Sequence, residues 1–160
     1  MKIYNIKDKL DYLKEVITLE HNEWASNPTL DFENRIDKKI KRVIDNLDDN
    51  SFCKLILLDD DILIGFISIF PYDGYTEYTP WYATMYVKKE YRGKGYSKLL
   101  NDAVLKEAKN RGFSEIYLKT DLVNYYEKFG AIYIKDLDNN EKLYKIRLNI
   151  EVSKKRRGDL

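Results

Sequence analysis

Residues 87–100 read VKKEYRGKGYSKLL, and this stretch decides the fold. An apolar strand, WYATMYV (81–87), runs into it. A helical pattern over 97–111 leaves it, with Leu99, Leu100, Ala103, Val104 and Ala108 on one face. Between them, Gly93 and Gly95 permit a tight turn that an anion can approach without meeting a Cβ atom. The first-turn amides of the helix have no partner inside it, and they add the positive end of its dipole. A strand, a glycine turn and a helix in this order can cradle a phosphate or pyrophosphate without a metal, and Arg92 and Lys94 add charge. The alternative is a charged surface loop with two turn glycines; the flanking strand and helix favour the anion. Neither GxxxxGK[ST] nor a dinucleotide glycine triplet is present.

Upstream, FCKLILL (52–58), the turn Asp59-Asp60-Asp61 and ILIGFISIF (62–70) read as an antiparallel pair covered on at least one face. Before them lie a short strand over 1–6 and two amphipathic helices. The first is capped by Asp8 and carries Leu10, Leu13, Ile17 and Trp24; the second carries Phe32, Ile36, Ile40, Val43 and Leu47. The segment PYDGYTEYTP (71–80) is a loop. Downstream, SEIYLK (114–119) is a strand, and Asp121 is placed to cap a short helix over 122–129 that Gly130 closes. Strands over 131–134 and 142–148 complete an α+β domain over 1–150, and 151–160 form a basic solvated tail.

The 160 residues suit one domain, and 28 Lys and Arg against 27 Asp and Glu argue against a broad basic surface for nucleic acid. Cys53 is the only cysteine and His21 the only histidine, so no disulfide forms within the chain and no metal site is expected. No apolar run reaches the roughly 18 residues of a spanning helix, and no signal-like segment opens the chain. A cytoplasmic protein that contacts neither membrane nor nucleic acid is expected.

Residues 92–97 resemble the acyl-coenzyme A motif Q/R-x-x-G-x-G/A of the GNAT N-acetyltransferase family, through Arg92, Gly95 and Ser97, with Ser in the place of the usual Gly or Ala. The segment NYYEKFGA (124–131) resembles that family's F/L-Y-E-K-x-G-F, with Ala131 where an aromatic is usual. TPWYATMYV (79–87) is similar to the T-P-W strand of one subgroup, IYLKTD to that subgroup's shorter segment, and Gly65 to the usual V-G-x strand. The likeness covers roughly 50–135. It implies a three-layer α/β/α fold with a mixed, largely antiparallel sheet, and acetyl-CoA as acyl donor with no metal.

Carried over by resemblance, Met85, Tyr86 and Val87 offer backbone groups to the pantetheine arm. Arg92, Gly93, Lys94, Gly95, Tyr96 and Ser97 hold the pyrophosphate. Tyr126 reaches the sulfur and protonates the departing thiolate, after direct attack by an amine in a ternary complex. Glu77 and Asp73 are the loop carboxylates available as base or as ammonium holders. His21, on the stripe leading to Trp24, reads as a partly buried structural side chain, and a water chain is the remaining base. Tyr72, Tyr75, Tyr78, Tyr82 and Tyr86, with Trp81, crowd the expected acceptor side, where aromatic faces suit a cationic amine. The acceptor is a polyamine, an amino sugar or a peptide amine, and the protein is a possible homodimer. A noncatalytic acyl-CoA sensor is the alternative function.

Overall fold

The computed structural model describes residues 1–148. The basic tail expected over 151–160 lies outside the described residues.

A seven-stranded sheet forms the middle layer, in the order β1-β2-β3-β4-β5-β7-β6. Its strands are β1 (Lys2–Asn5), β2 (Cys53–Asp59), β3 (Ile62–Phe70), β4 (Trp81–Val87), β5 (Glu115–Thr120), β6 (Ile132–Asp136) and β7 (Lys142–Arg147). Among the strand pairs of the described residues, only β4–β5 is parallel. The β2–β3 hairpin closes on Asp60 at φ 51°, with Asp59 opposite Ile62, so the aspartates serve the turn.

Because strand side chains alternate, β2 and β3 supply both faces of the sheet. Leu55, Leu57, Ile67 and Ile69 pack under helix α3 (Tyr96–Asn110), against Leu100, Val104 and Ala108. Ile56, Leu58 and Phe66 face helices α1 (Leu13–Trp24) and α2 (Phe32–Asp45), against Val16, Ile17 and Ile36. Two apolar faces therefore make two cores, one on each side of the sheet.

Gly65 lets the layers approach. A Cβ there would run into the Tyr86 carbonyl oxygen of β4 and come within 3.2 Å of Leu100 Cδ1 of α3.

Four local expectations fail. Asp8 caps nothing: two short 3-10 turns precede α1, and the Asn5 side chain accepts from the Lys7 amide instead. The helix expected over 122–129 shrinks to a 3-10 turn at Tyr126–Phe129, because Asn124 sits at φ 60° and breaks helical geometry. The Asp121 cap is replaced by the Thr120 hydroxyl, which accepts from the Leu122 amide, while Gly130 closes the turn at φ 90°. Leu99 is 47 % exposed, and Asn101 is buried in that helix, accepting from the Tyr82 hydroxyl at 2.8 Å.

Candidate active site

Parallel strands need slanted, evenly spaced bonds to stay together. β4 and β5 share the single registered pair Trp81–Tyr117, beside which the Tyr117 amide donates to the Pro80 carbonyl at 3.0 Å. Beyond that point β4 carries a bulge. Phe66 faces Tyr86 and Ser68 faces Ala83, so Thr84 and Met85 together oppose Ile67. The strands diverge there, and two cavities open along the gap.

The first cavity, about 510 Å³, is bounded by β4, the turn after it and the start of α3. Met85, Tyr86, Val87, Arg92, Gly93, Gly95, Tyr96, Ser97 and Tyr126 line it, together with Trp24 and Tyr125. Lys94 is not among the lining residues; its ammonium lies 5.9 Å over the Tyr91 ring. Gly93 and Gly95 take φ of 79° and 85°, and a Cβ on either would meet nothing within 4 Å. These glycines are therefore required by conformation and not by crowding.

The Arg92 Nε donates to the Val87 carbonyl at 2.7 Å, and its guanidinium stacks 5.4 Å from the Tyr86 ring centre. Arg92 thus ties the end of β4 to the turn. Gly95 caps α3 without a side chain, and the helix has no acidic residue in its first turn. Its amides and dipole face the cavity with no first-turn carboxylate against them, as an anion requires; Glu23, from the end of α1, is the one acidic residue in the lining.

The second cavity, about 450 Å³, opens between β4 and β5. Thr84, Met85, Tyr82 and Leu118 form its floor, and Asp73, Asp121 and Glu141 supply carboxylates. Asp73 pairs with Lys119 at 3.4 Å. Trp24, Met85 and Tyr126 line both cavities, so the two meet at these side chains.

Tyr126 stands at this junction, held edge-on by Tyr82 at 5.8 Å and Tyr125 at 4.7 Å. Burial pushes its phenol up to about 12, with the neighbouring Tyr125 adding to the shift, so it is protonated throughout the ordinary pH range. Burial drives Tyr82 higher still.

Other candidates fall elsewhere. Glu77 is exposed in the 71–80 loop and lines neither cavity, because that loop packs Tyr75 and Tyr78 inward on Trp81 and leaves this carboxylate in water. His21 is fully buried. Its Nε2 lies 2.9 Å from the Pro28 carbonyl and its Nδ1 2.8 Å from the Lys39 ammonium. A carbonyl can only accept, so Nε2 carries the proton and Nδ1 accepts from Lys39. His21 is a structural link between α1 and α2. Burial in turn lowers the Lys39 pKa.

The tyrosine-rich loop also divides differently from the expectation. Tyr75 and Tyr78 pack on Trp81, and Tyr78 on Tyr117 as well, making a structural aromatic cluster. Of the five tyrosines assigned to the acceptor side, Tyr82 lines the second cavity and Tyr86 the first. Trp24, half-exposed at the end of α1, lines both cavities instead of a core stripe, and Asp121 lines the second instead of capping a helix; Thr84 lies within TPWYATMYV with no role of its own in that motif, and Glu141 belongs to no motif. The signal for Trp24 was its place beside Asn27-Pro28, where the helix stops.

The acetyltransferase (GNAT) family model matches residues 13–131, which takes in α1, the first cavity, the Tyr126 turn and the lining of the second cavity except Glu141. The chain belongs to the GNAT acetyltransferase family. This GNAT protein is 35% identical over 101 residues to N-alpha-acetyltransferase 30 of Schizosaccharomyces pombe, a match covering 59% of this chain and 63% of that relative. The chain thus spans somewhat under two thirds of that relative's length. Among solved structures, a spermidine N-acetyltransferase chimera from Vibrio cholerae superposes with a TM-score of 0.71 at 18% identity, covering 95% of this chain and 99% of that one. The PaiA N-acetyltransferase of Thermoplasma acidophilum, solved with coenzyme A, gives 0.63 at 21% identity, covering 92% and 99%. The GNAT fold is common to all of them. Among the described residues, no helix is long and apolar enough to cross a membrane.

Proposed function

We propose that this GNAT acetyltransferase moves an acetyl group from acetyl-CoA, held in the first cavity, to a primary amine held in the second. The observation that carries this reading is the junction: Met85 and Tyr126 line both cavities. A donor thioester and an acceptor amine entering from opposite sides meet beside one backbone strand and one phenol.

The pyrophosphate sits on the 92–97 turn, where left-handed glycines, an acid-free helix start and Arg92 provide the fit. The backbone of Met85 and Tyr86, left without a β5 partner by the divergence, takes the pantetheine arm and faces the acyl carbonyl oxygen. The amine attacks the acyl carbon, the carbon–sulfur bond breaks, and Tyr126 Oη donates toward the leaving sulfur. Asp73, Asp121 and Glu141 hold the incoming ammonium, and its proton leaves through water on that side. Glu77, exposed beyond the cavity, has no direct part in this scheme, and the base is the carboxylate-lined water itself.

A cationic acceptor is favoured by the carboxylates. Among amines, a peptide N-terminus is supported by the likeness to N-alpha-acetyltransferase 30. A panel of polyamines, amino sugars and short peptides with free N-termini, incubated with acetyl-CoA and read by mass spectrometry, tests the proposal. Acetylation of at least one amine class is the expected result. Tight acetyl-CoA binding without any acetylated product favours the sensor reading.

A further inference from the structure

Strand β2 is apolar from Cys53 to Leu58 except for Lys54, and the fold buries that lysine to 1% exposure. An ammonium removed from water costs several kcal/mol unless it is paired and hydrogen-bonded. Lys54 has both kinds of partner. Its Nζ lies 2.5 Å from Glu20 Oε2 of α1 and donates to Ser68 Oγ of β3 at 2.9 Å. Ser68, itself fully buried, shares a 2.9 Å hydrogen bond with Thr84 Oγ1 of β4. A continuous polar row therefore crosses three strands of an otherwise apolar sheet.

The last member of the row is strained. Thr84 has φ 47°, a left-handed conformation that a β-branched residue adopts only when its surroundings force it. The register explains why the row needs it. Lys54 is paired with Ser68, and Ser68 with Ala83, so these three side chains share one face. Regular alternation turns the residue after Ala83 to the other face. The bulge reverses this at Thr84 and returns its hydroxyl to Ser68. The next residue is Met85, whose position in the gap is set by where the bulge ends.

Stability alone does not account for a buried ion pair here, since apolar residues of similar volume commonly serve a core as well or better. We propose that the row Glu20–Lys54–Ser68–Thr84 is a clamp that fixes the bulge in β4 and thereby aims the Met85 backbone at the reacting acyl group. Lys54 and Ser68 are positioning residues; neither lines the junction of the two cavities. The catalytic part of this inference rests on the transferase reading above, whereas the clamp itself is a statement about the free protein.

The test is Ser68→Ala, made in the native protein and again in a Thr84→Gly background, with two readouts. Hydrogen exchange of the Met85 amide, measured without acetyl-CoA, is expected to quicken about tenfold in Ser68→Ala, while amides of β2 keep their protection. The kcat is expected to fall about tenfold, with the acetyl-CoA KM within about twofold of the native value. In the Thr84→Gly background, Ser68→Ala is expected to change kcat by less than about twofold, because glycine takes the left-handed conformation without a tether. An equal kcat loss in both backgrounds, or unchanged Met85 exchange, overturns the clamp. If Ser68→Ala does not fold, the double variant Lys54→Met/Glu20→Leu, which strands no charge, is read by the same exchange and KM-against-kcat criteria. A native protein without turnover removes the transferase reading and leaves the exchange result to decide the clamp.

Discussion

Replacing Tyr126 by Phe removes one hydroxyl and keeps the ring that packs against Tyr82 and Tyr125, so the junction retains its shape. The size of the effect follows from two acidities. Burial sets the Tyr126 phenol at about 12, whereas a thiol in water titrates near about 8.5. Full proton transfer across that gap of about 3.5 pH units is uphill by about 5 kcal/mol. A thiolate formed inside the protein is desolvated as well, and the direction is visible in this chain: burial pushes the Cys53 thiol up to about 11. The gap at the moment of bond breaking is therefore narrower, and Tyr126 acts as a strong hydrogen-bond donor that completes the transfer late. A hydrogen bond to a charged group contributes about 1.5–3 kcal/mol, so Tyr126→Phe should lower kcat roughly 10- to 100-fold. The KM for acetyl-CoA should move less than about threefold. Release of free CoA thiol, followed with a chromogenic disulfide, measures both constants; the buried Cys53 gives little background. A variant with kcat within twofold of the native value refutes the donor role. A change in KM alone makes Tyr126 a binding residue.

The same acidity sets the pH profile: kcat/KM should rise with pH as the acceptor ammonium loses its proton, with no alkaline fall attributable to Tyr126 below about pH 11. Stability has the opposite sense at high pH. A phenol whose folded pKa is raised from 10.0 to about 12 contributes stability that is complete below about pH 10 and is lost as pH rises through about 12. Chemical denaturation across that window should show the decline, and a flat curve would contradict burial of Tyr126. Gly65→Ala places a Cβ against the Tyr86 carbonyl and Leu100, which should destabilise the fold by about 1–3 kcal/mol and lower the melting temperature by several degrees; an unchanged melting curve would refute the crowding. Asp121→Asn with Glu141→Gln should raise the acceptor KM about tenfold and spare the acetyl-CoA KM, because both carboxylates line only the second cavity; steady-state kinetics at low salt would show otherwise if both constants moved together.

Strand and helix placement was legible where one physical signal governs it. Continuous apolar runs place β3 and β4, and the strand–glycine–helix succession around Gly93 and Gly95 leads to the turn that lines the first cavity. Spacing alone describes Tyr126 as an ordinary packing aromatic, and only the NYYEKFGA motif singles out this side chain, which lines both cavities. What escaped was non-local. The row from Lys54 to Thr84 joins residues 14 and 16 positions apart in successive steps, and nothing local marks it except a lysine in an apolar strand. Asp121 and Glu141 reach the second cavity from the β5 and β7 ends, and only the strand order β5-β7-β6 brings them together. The tyrosine excess was legible as a cluster but not as its purpose: Tyr75, Tyr78 and Tyr117 bury Trp81, which anchors the last point where β4 and β5 still pair.

If one cavity delivers an acetyl group and the other an amine to the junction at Met85 and Tyr126, both substrates are bound before the new bond forms. Bisubstrate kinetics with acetyl-CoA and the best amine of the panel read this order. Intersecting initial-rate lines and a covalent amide product are expected, with no acetylated enzyme detectable by mass spectrometry when the amine is withheld. Parallel lines together with a stable acetyl-enzyme would contradict it.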